Sequence, residues 1–174
     1  EIPDWLPSFK RAKRINKKIF IDDDIAYLFG LYAADGYSDG SRLTSITLSL
    51  GEEKFAERCV VAWKKLGLDA KIKMCHNCIR VKTYSANAAR SMKEWFGQKT
   101  NKHLPSWLMT EEWNKKEIIQ GLVDGDGHYK GNMIAFVNTS QVLVEQLKIL
   151  LMYYGEKPSI HRHKYTQVGR ENWN

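Results

Sequence analysis

The sequence has no apolar run long enough to cross a membrane. Its longest stretches, such as residues 25–29 and 147–154, are short and interrupted, whereas a spanning helix needs roughly 20 apolar residues. A secretory start is also missing, because Glu1-Ile2-Pro3-Asp4-Trp5 offers neither a basic leader nor an apolar stretch. The expectation is an intracellular protein, in cytoplasm, nucleoid or organelle, with no membrane partner. Cysteine is scarce: Cys59, Cys75 and Cys78 are odd in number and too few for a disulfide framework, as in a reduced compartment. Cys75-His76-Asn77-Cys78 has the spacing of zinc ligands, but no second Cys pair follows, and His161 and His163 are distant. The same four residues equally suit the bend of a β-hairpin. Acidic residues are outnumbered, 20 Asp+Glu against 27 Lys+Arg, for a net charge of +7. That balance suits a polyanionic partner such as nucleic acid, although mild basicity alone is common among proteins.

What is present can build a core. With 43% hydrophobic and 11% aromatic residues in 174, the chain excludes disorder and allows one substantial core, or two small ones sharing an interface. From Asp22 the pattern reads helix, two strands, helix, two strands, helix. Asp22, Asp23 and Asp24 cap a helix in which Ile25, Leu28, Phe29 and Tyr32 recur at helical spacing until Asp35-Gly36. Residues 43–50 alternate as a half-buried strand, with Ile46, Leu48 and Leu50 inward and Ser45, Thr47 and Ser49 outward. Residues 52–66 form an amphipathic helix, followed by a hairpin with Ala70, Ile72 and Met74 on its first arm and Ile79 and Val81 on its second. A helix over residues 86–96 and a polar connection over 97–106 complete the unit.

The order then restarts. A helix from about Glu111 to Asp126 precedes short strands near 128–130 and 133–139, a helix over 141–154 and a basic strand over 159–165. The expected division is a basic N-terminal arm over 1–21, a first half over 22–97, a linker over 98–109 and a second half over 110–174. That second half looks incomplete at its C-terminus. Residues 10–18 of the arm, with six Lys or Arg, offer a phosphate-contacting segment.

Side by side, the repeated helices end as Leu28-Phe29-Gly30-Leu31-Tyr32-Ala33-Ala34-Asp35-Gly36 and Ile119-Gln120-Gly121-Leu122-Val123-Asp124-Gly125-Asp126-Gly127. Gly30 and Ala34, like Gly121 and Gly125, are small residues four apart on one face, so two such helices can pack with their backbones in contact. Asp35 and Asp126, 126 − 35 = 91 residues apart, would then meet at the C-terminal ends. The glycine after each is expected at φ > 0, ending its helix. Two carboxylates there repel each other and oppose the helix dipoles, a situation that bound divalent cations relieve.

Both nine-residue segments resemble the LAGLIDADG signature, and on them the chain resembles a monomeric, two-motif LAGLIDADG homing endonuclease, or the endonuclease part of an intein. The resemblance covers roughly residues 20–165. It implies an α+β fold of two pseudo-twofold αββαββ repeats, a saddle packed through the paired motif helices with its sheets along the DNA major groove. It implies site-specific hydrolysis of both DNA strands at a long asymmetric target. Asp35 and Asp126 match the metal-binding acidic positions, with Ala34 and Gly125 beside them. The implied cation is Mg2+, with Mn2+ as a substitute, which suits hard oxygen ligands. Ala33 departs from the sixth motif position, where the second copy has Asp124, but that position is generally not a ligand.

Lys102-His103-Leu104-Pro105 is similar to the Lys-x-(Ile/Leu)-Pro segment of intein-type endonucleases. This makes Lys102 a catalytic candidate for stabilising phosphate charge or polarising water, with a solvated linker lysine as the alternative. Splicing chemistry is not expected here, since residue 1 is Glu rather than Cys or Ser.

Opposite the apolar strand faces lie Ser45, Thr47, Ser49, Lys71, Lys73, Arg80 and Lys82 in the first half, and Asn138, Arg162 and Lys164 in the second. Such side chains can bond base edges and neutralise phosphates. The competing reading is a non-catalytic nucleic-acid binder of the same fold, an RNA maturase or a DNA-binding regulator.

Overall fold

The computed structural model describes residues 20–110, 114–131 and 133–162. The basic segment at 10–18 and Lys164 lie outside the described residues.

Helix α1 (Asp23–Asp35) starts as its aspartates dictate: the Asp22 carboxylate accepts the Ile25 N–H at 3.1 Å, and Asp23 and Asp24 sit in the first turn. Every residue from Ile25 to Ala34 is buried. The apolar stripe expected from the spacing is therefore a helix covered on all sides, at the centre of the molecule.

Strands β1 (Gly36–Ser38), β2 (Leu43–Leu48), β3 (Ala70–Met74) and β4 (Ile79–Tyr84) form one antiparallel sheet in the order β1-β2-β4-β3. Helix α2 (Glu53–Lys65) buries Ala56, Cys59, Ala62 and Trp63, and α3 (Ala86–Phe96), capped by Ser85, packs on β1 and β2. The hairpin turn at residues 75–78 is closed by the Cys75 N–H donating to the Cys78 carbonyl at 2.8 Å. Three expected inward positions differ. Leu50 is exposed because β2 ends at Leu48 and the chain turns at Gly51 (φ 95°) into α2. Ile72 and Met74 are exposed because β3 is an edge strand.

The connection to the second repeat is more structured than its polar composition suggests. It holds a 3-10 turn at Lys99–Asn101 and a short helix, α4 (Ser106–Thr110). Trp107 of α4 packs edge-on against Trp95 at 5.7 Å and Phe29 at 6.0 Å, tying the linker to α3 and α1. Instead of one helix from Glu111, α5 (Lys115–Asp126) starts after Asn114, which is left-handed at φ 55°.

Strands β5 (Gly127–Lys130) and β6 (Met133–Phe136) form a two-stranded sheet, and α6 (Gln141–Tyr153) follows with Ser140 as its cap. The expected basic strand is not formed over the described residues 159–162. Arg162 is exposed there, and Ser159 pairs locally with His161 at 3.1 Å rather than with a neighbouring strand. No helix among the described residues is long and apolar enough to cross a membrane.

Candidate active site and nucleic-acid face

The site is made by the packing of α1 against α5, the most extensive contact between any two elements. A Cβ at Gly30 would overlap the Ile118 carbonyl, and one at Gly121 would overlap the Tyr27 carbonyl and the Leu31 nitrogen. One turn further on, Gly125 faces Ala34. The small residues thus let two backbones touch, as their spacing implied, and the helix ends converge.

Convergence brings Asp126 close enough for its charge to act on Asp35. Burial, then the neighbouring Asp126 charge, push the Asp35 carboxyl up to about 7, with Glu52 adding to the rise and Lys102 opposing it. The Asp126 carboxyl is also raised by burial, against the opposing effects of Asn138 and Lys102. Lys102 reaches in from the linker, and its Nζ donates to the carbonyl of Ala34. Burial lowers the Lys102 pKa, while Asp126 and Asp35 hold the charge on it. The side chain is half-buried and bonded to the Ala34 backbone, beside the two aspartates, rather than extended into solvent.

The glycines after the aspartates do not act as expected. Gly36 has φ −74° and Gly127 φ −89°, ordinary extended backbone. What they supply is room: a Cβ on Gly36 would strike the Tyr32 ring and carbonyl, and one on Gly127 the Val123 carbonyl. Each helix therefore passes directly from its aspartate into a strand.

Three residues near the site have roles that the sequence reading did not assign. Asp124 accepts from the Tyr27 hydroxyl at 2.9 Å and from Gln120 at 2.6 Å, so the acid at the sixth motif position joins the two helices. Glu52, the residue before α2, faces Asp35 electrostatically while accepting the Ser49 N–H at 2.7 Å. Ser140 caps α6 and donates to the Lys102 carbonyl at 2.5 Å. Only Ser140 carried a local signal, as a cap residue before an apolar-periodic run.

On the outer face of the four-stranded sheet, register aligns Tyr37, Ser45, Lys82 and Lys71 in one row and Thr47, Arg80 and Lys73 in the next. Lys71 stands opposite Lys82, and Lys73 opposite Arg80, with no acidic residue in any of the four strands. Like charges directly opposed cost energy unless a polyanion neutralises them. Thr47, Lys71, Lys73 and Arg80 are exposed, as is Ser49 in the following turn. Ser45 is a correction: it is 8% exposed, closed in between Tyr37 and Lys82 on a central strand. Asn138 differs too, because its carboxamide is engaged within the protein: Nδ2 donates to Asp126 Oδ2 at 2.5 Å, and Oδ1 accepts the Ser140 N–H at 2.7 Å.

The family model of the LAGLIDADG-like domain matches residues 22–95 and 113–173. The chain belongs to that family. The LAGLIDADG helices are α1 and α5, and the matched segments are the two repeats built on them. Solved structures of the homing endonuclease I-DmoI share the fold. Its complex with DNA and Ca superposes with a TM-score of 0.63 at 16% identity, covering 80% of this chain and 75% of that one. A structure of its mesophilic variants gives 0.65 at 16% identity, covering 83% and 84%. A curated relative, the ATP-dependent DNA helicase Hel308 of Thermococcus kodakarensis, is 26% identical over 168 residues. That match takes in 90% of this chain but only 15% of the helicase's length.

Proposed function

We propose that this LAGLIDADG protein is a site-specific endonuclease, hydrolysing both strands of duplex DNA at a long asymmetric target, as a monomer. The observation that carries the reading is the meeting of Asp35 and Asp126 at the base of two helices packed backbone to backbone, beside a strongly basic sheet. The kinship with a stretch of a much longer helicase supports an intein-type origin. I-DmoI was solved in complex with DNA and Ca, and with DNA and Mn, which supports the same chemistry for this chain.

The donors fit a divalent cation. Two carboxylates and the Ala34 carbonyl are hard oxygens, no His or Cys among the described residues stands with them, and the Lys102 ammonium already rests on that carbonyl. Mg2+, with Mn2+ able to substitute, would be held by Asp35 and Asp126 together with the backbone at Ala34 and Gly125. Bound there, it supplies polarisation of the scissile phosphate and a lowered pKa for the attacking water. The protein does the rest. Lys71, Lys73, Arg80 and Lys82 hold the backbone by charge, with Thr47 and Ser49 offering bonds to base edges. Ser45, screened by its neighbours, contributes less, and Arg162 and Lys164 would add phosphate contacts from the second half. Lys102 keeps a positive charge where negative charge builds on the phosphate.

The test is a gel assay of binding and nicking on a randomised duplex library with Mg2+. Asp35→Asn and Asp126→Asn should each cut about a thousandfold more slowly or worse, with DNA affinity kept or improved by the removal of a repelling charge. Normal cutting by both variants, or no cutting of any duplex by the wild type, would leave the maturase or regulator reading in its place.

A further inference from the structure

The two catalytic carboxylates are mounted in different ways, and the difference lies in the short segment between β6 and α6. There the Val137 N–H donates to the Asp126 carbonyl at 3.2 Å, and Asn138 Nδ2 donates to the Asp126 side chain. The orientation of the Asn138 amide is not free to reverse. Its Oδ1 receives the Ser140 backbone N–H, which can only donate, so the NH2 group must face the carboxylate, which accepts. Ser140 is itself fixed at both ends, accepting from Leu143 N at the start of α6 and donating to the Lys102 carbonyl. A continuous run of bonds therefore leads from α6 through Ser140 and Asn138 to one oxygen of Asp126.

The corresponding segment of the first repeat, between β2 and α2, is built otherwise. It holds Ser49, Leu50, Gly51 and Glu52. Among the described residues the Asp35 carboxylate has no side-chain donor, and Glu52 faces it with like charge. Asp35 is therefore oriented by packing and by Lys102, whereas Asp126 is oriented by a dedicated amide.

We propose that Asn138 is a positioning residue, holding the Asp126 carboxylate in the orientation it presents to a divalent cation, rather than a residue that reads DNA. This rests on the metal-dependent reading of the site. Partners that orient a metal-binding side chain are typically worth about 10-fold to 100-fold in metal affinity.

The experiment titrates Mn2+ into the full chain, alone and bound to duplex, following the free Mn2+ signal by electron paramagnetic resonance. Asn138→Leu keeps the shape but removes both the donor to Asp126 and the acceptor of the Ser140 N–H, so Mn2+ affinity should fall about tenfold, with Asn138→Gln intermediate. In an Asp126→Asn background the Asn138→Leu change should have no further effect, a dependence that a merely structural role would not produce. Equal losses in both backgrounds would overturn the inference. So would unchanged Mn2+ affinity together with weakened duplex binding in Ca2+, which would make Asn138 a DNA contact. Wild type that binds Mn2+ but cuts no duplex would bring down the endonuclease reading alone, since the Asn138 comparison needs no cleavage. Wild type that binds no Mn2+, with or without duplex, would overturn both.

Discussion

The two LAGLIDADG helices carry the same pattern of small residues and end in the same Asp-Gly step, yet they live in different surroundings. Helix α1 is buried from Ile25 to Ala34, while α5 buries only Lys115, Ile118, Gly121 and Leu122. The first repeat backs its helix with a four-stranded sheet whose outer face is basic. Among the described residues the second has two short strands, in which Tyr129, Met133 and Ile134 are exposed. Symmetry of sequence thus determines where the acids meet, but not how each is held. Asp35 meets charge and desolvation, and Asp126 meets an amide.

The sharpest way to break the pairing is to wedge the helices apart. Gly121→Ala and Gly30→Ala put a methyl group into the facing backbone, which cannot swing aside, so each should cost about 3 kcal/mol in urea unfolding. Gly125→Ala meets side-chain atoms of Ala34, Asp35 and Leu31 rather than facing backbone, and should cost less, about 2 kcal/mol. Equal losses at the three sites would deny the close approach at Gly30 and Gly121.

The contrast between the carboxylates should show in the pH dependence of stability without metal. Because the Asp35 carboxyl is raised to about 7 in the fold, the native state binds a proton that the unfolded chain releases near the ordinary carboxylate value of 3.8. In EDTA the Asp35 contribution to stability should therefore be fully present below about pH 4 and be lost as pH rises through about 7. Asp35→Asn should remove that loss, gaining on the order of 2 kcal/mol at pH 8 and little at pH 4. Asp126→Asn should gain less, since Asn138 and Lys102 already oppose its rise. A larger gain from Asp126→Asn would reverse the contrast.

At the other end of the helix pair, Arg58 of α2 joins the two repeats. It bonds Asp24 at 3.0 Å and Glu117 at 2.6 Å, with its guanidinium 4.0 Å over the Tyr27 ring. Arg58→Met should lose about 1 kcal/mol, and part of the loss should vanish in high salt. A loss independent of salt would assign Arg58 to packing alone.

The smallest effect concerns the sheets. Arg80→Ala should weaken duplex binding and lower the slope of log affinity against log salt by about 0.9, the value of one phosphate contact. If His128→Ala in the second sheet changed the slope as much, the basic face would not be confined to the first repeat.

Much of this was legible locally. The Asp22 cap, the helix over residues 86–96 and the hairpin arms around Cys75 and Cys78 follow from short-range chemistry, and the structure places them as the pattern implies. The misreadings share a cause. Leu50, Ile72 and Met74 look inward-facing by alternation, but burial also needs a neighbour above, and edge strands and turns lack one. The same limit applies to Gly36 and Gly127, where a glycine after a helix suggested positive φ and the real demand was space against Tyr32 and Val123.

What the sequence by itself determined is the repeat, the small-residue faces of α1 and α5, and the pair of aspartates, because each is a matter of residue type at fixed spacing along one helix. Only the tertiary structure decided that Lys102 rests on the Ala34 carbonyl, that Asp124 joins the helices through Tyr27 and that Asn138 turns toward Asp126. Two of those contacts join residues 68 and 97 apart in the chain. The third, only 12 residues apart, forms because β5 and β6 fold back antiparallel and return Asn138 to the end of α5, a geometry set by packing rather than by spacing.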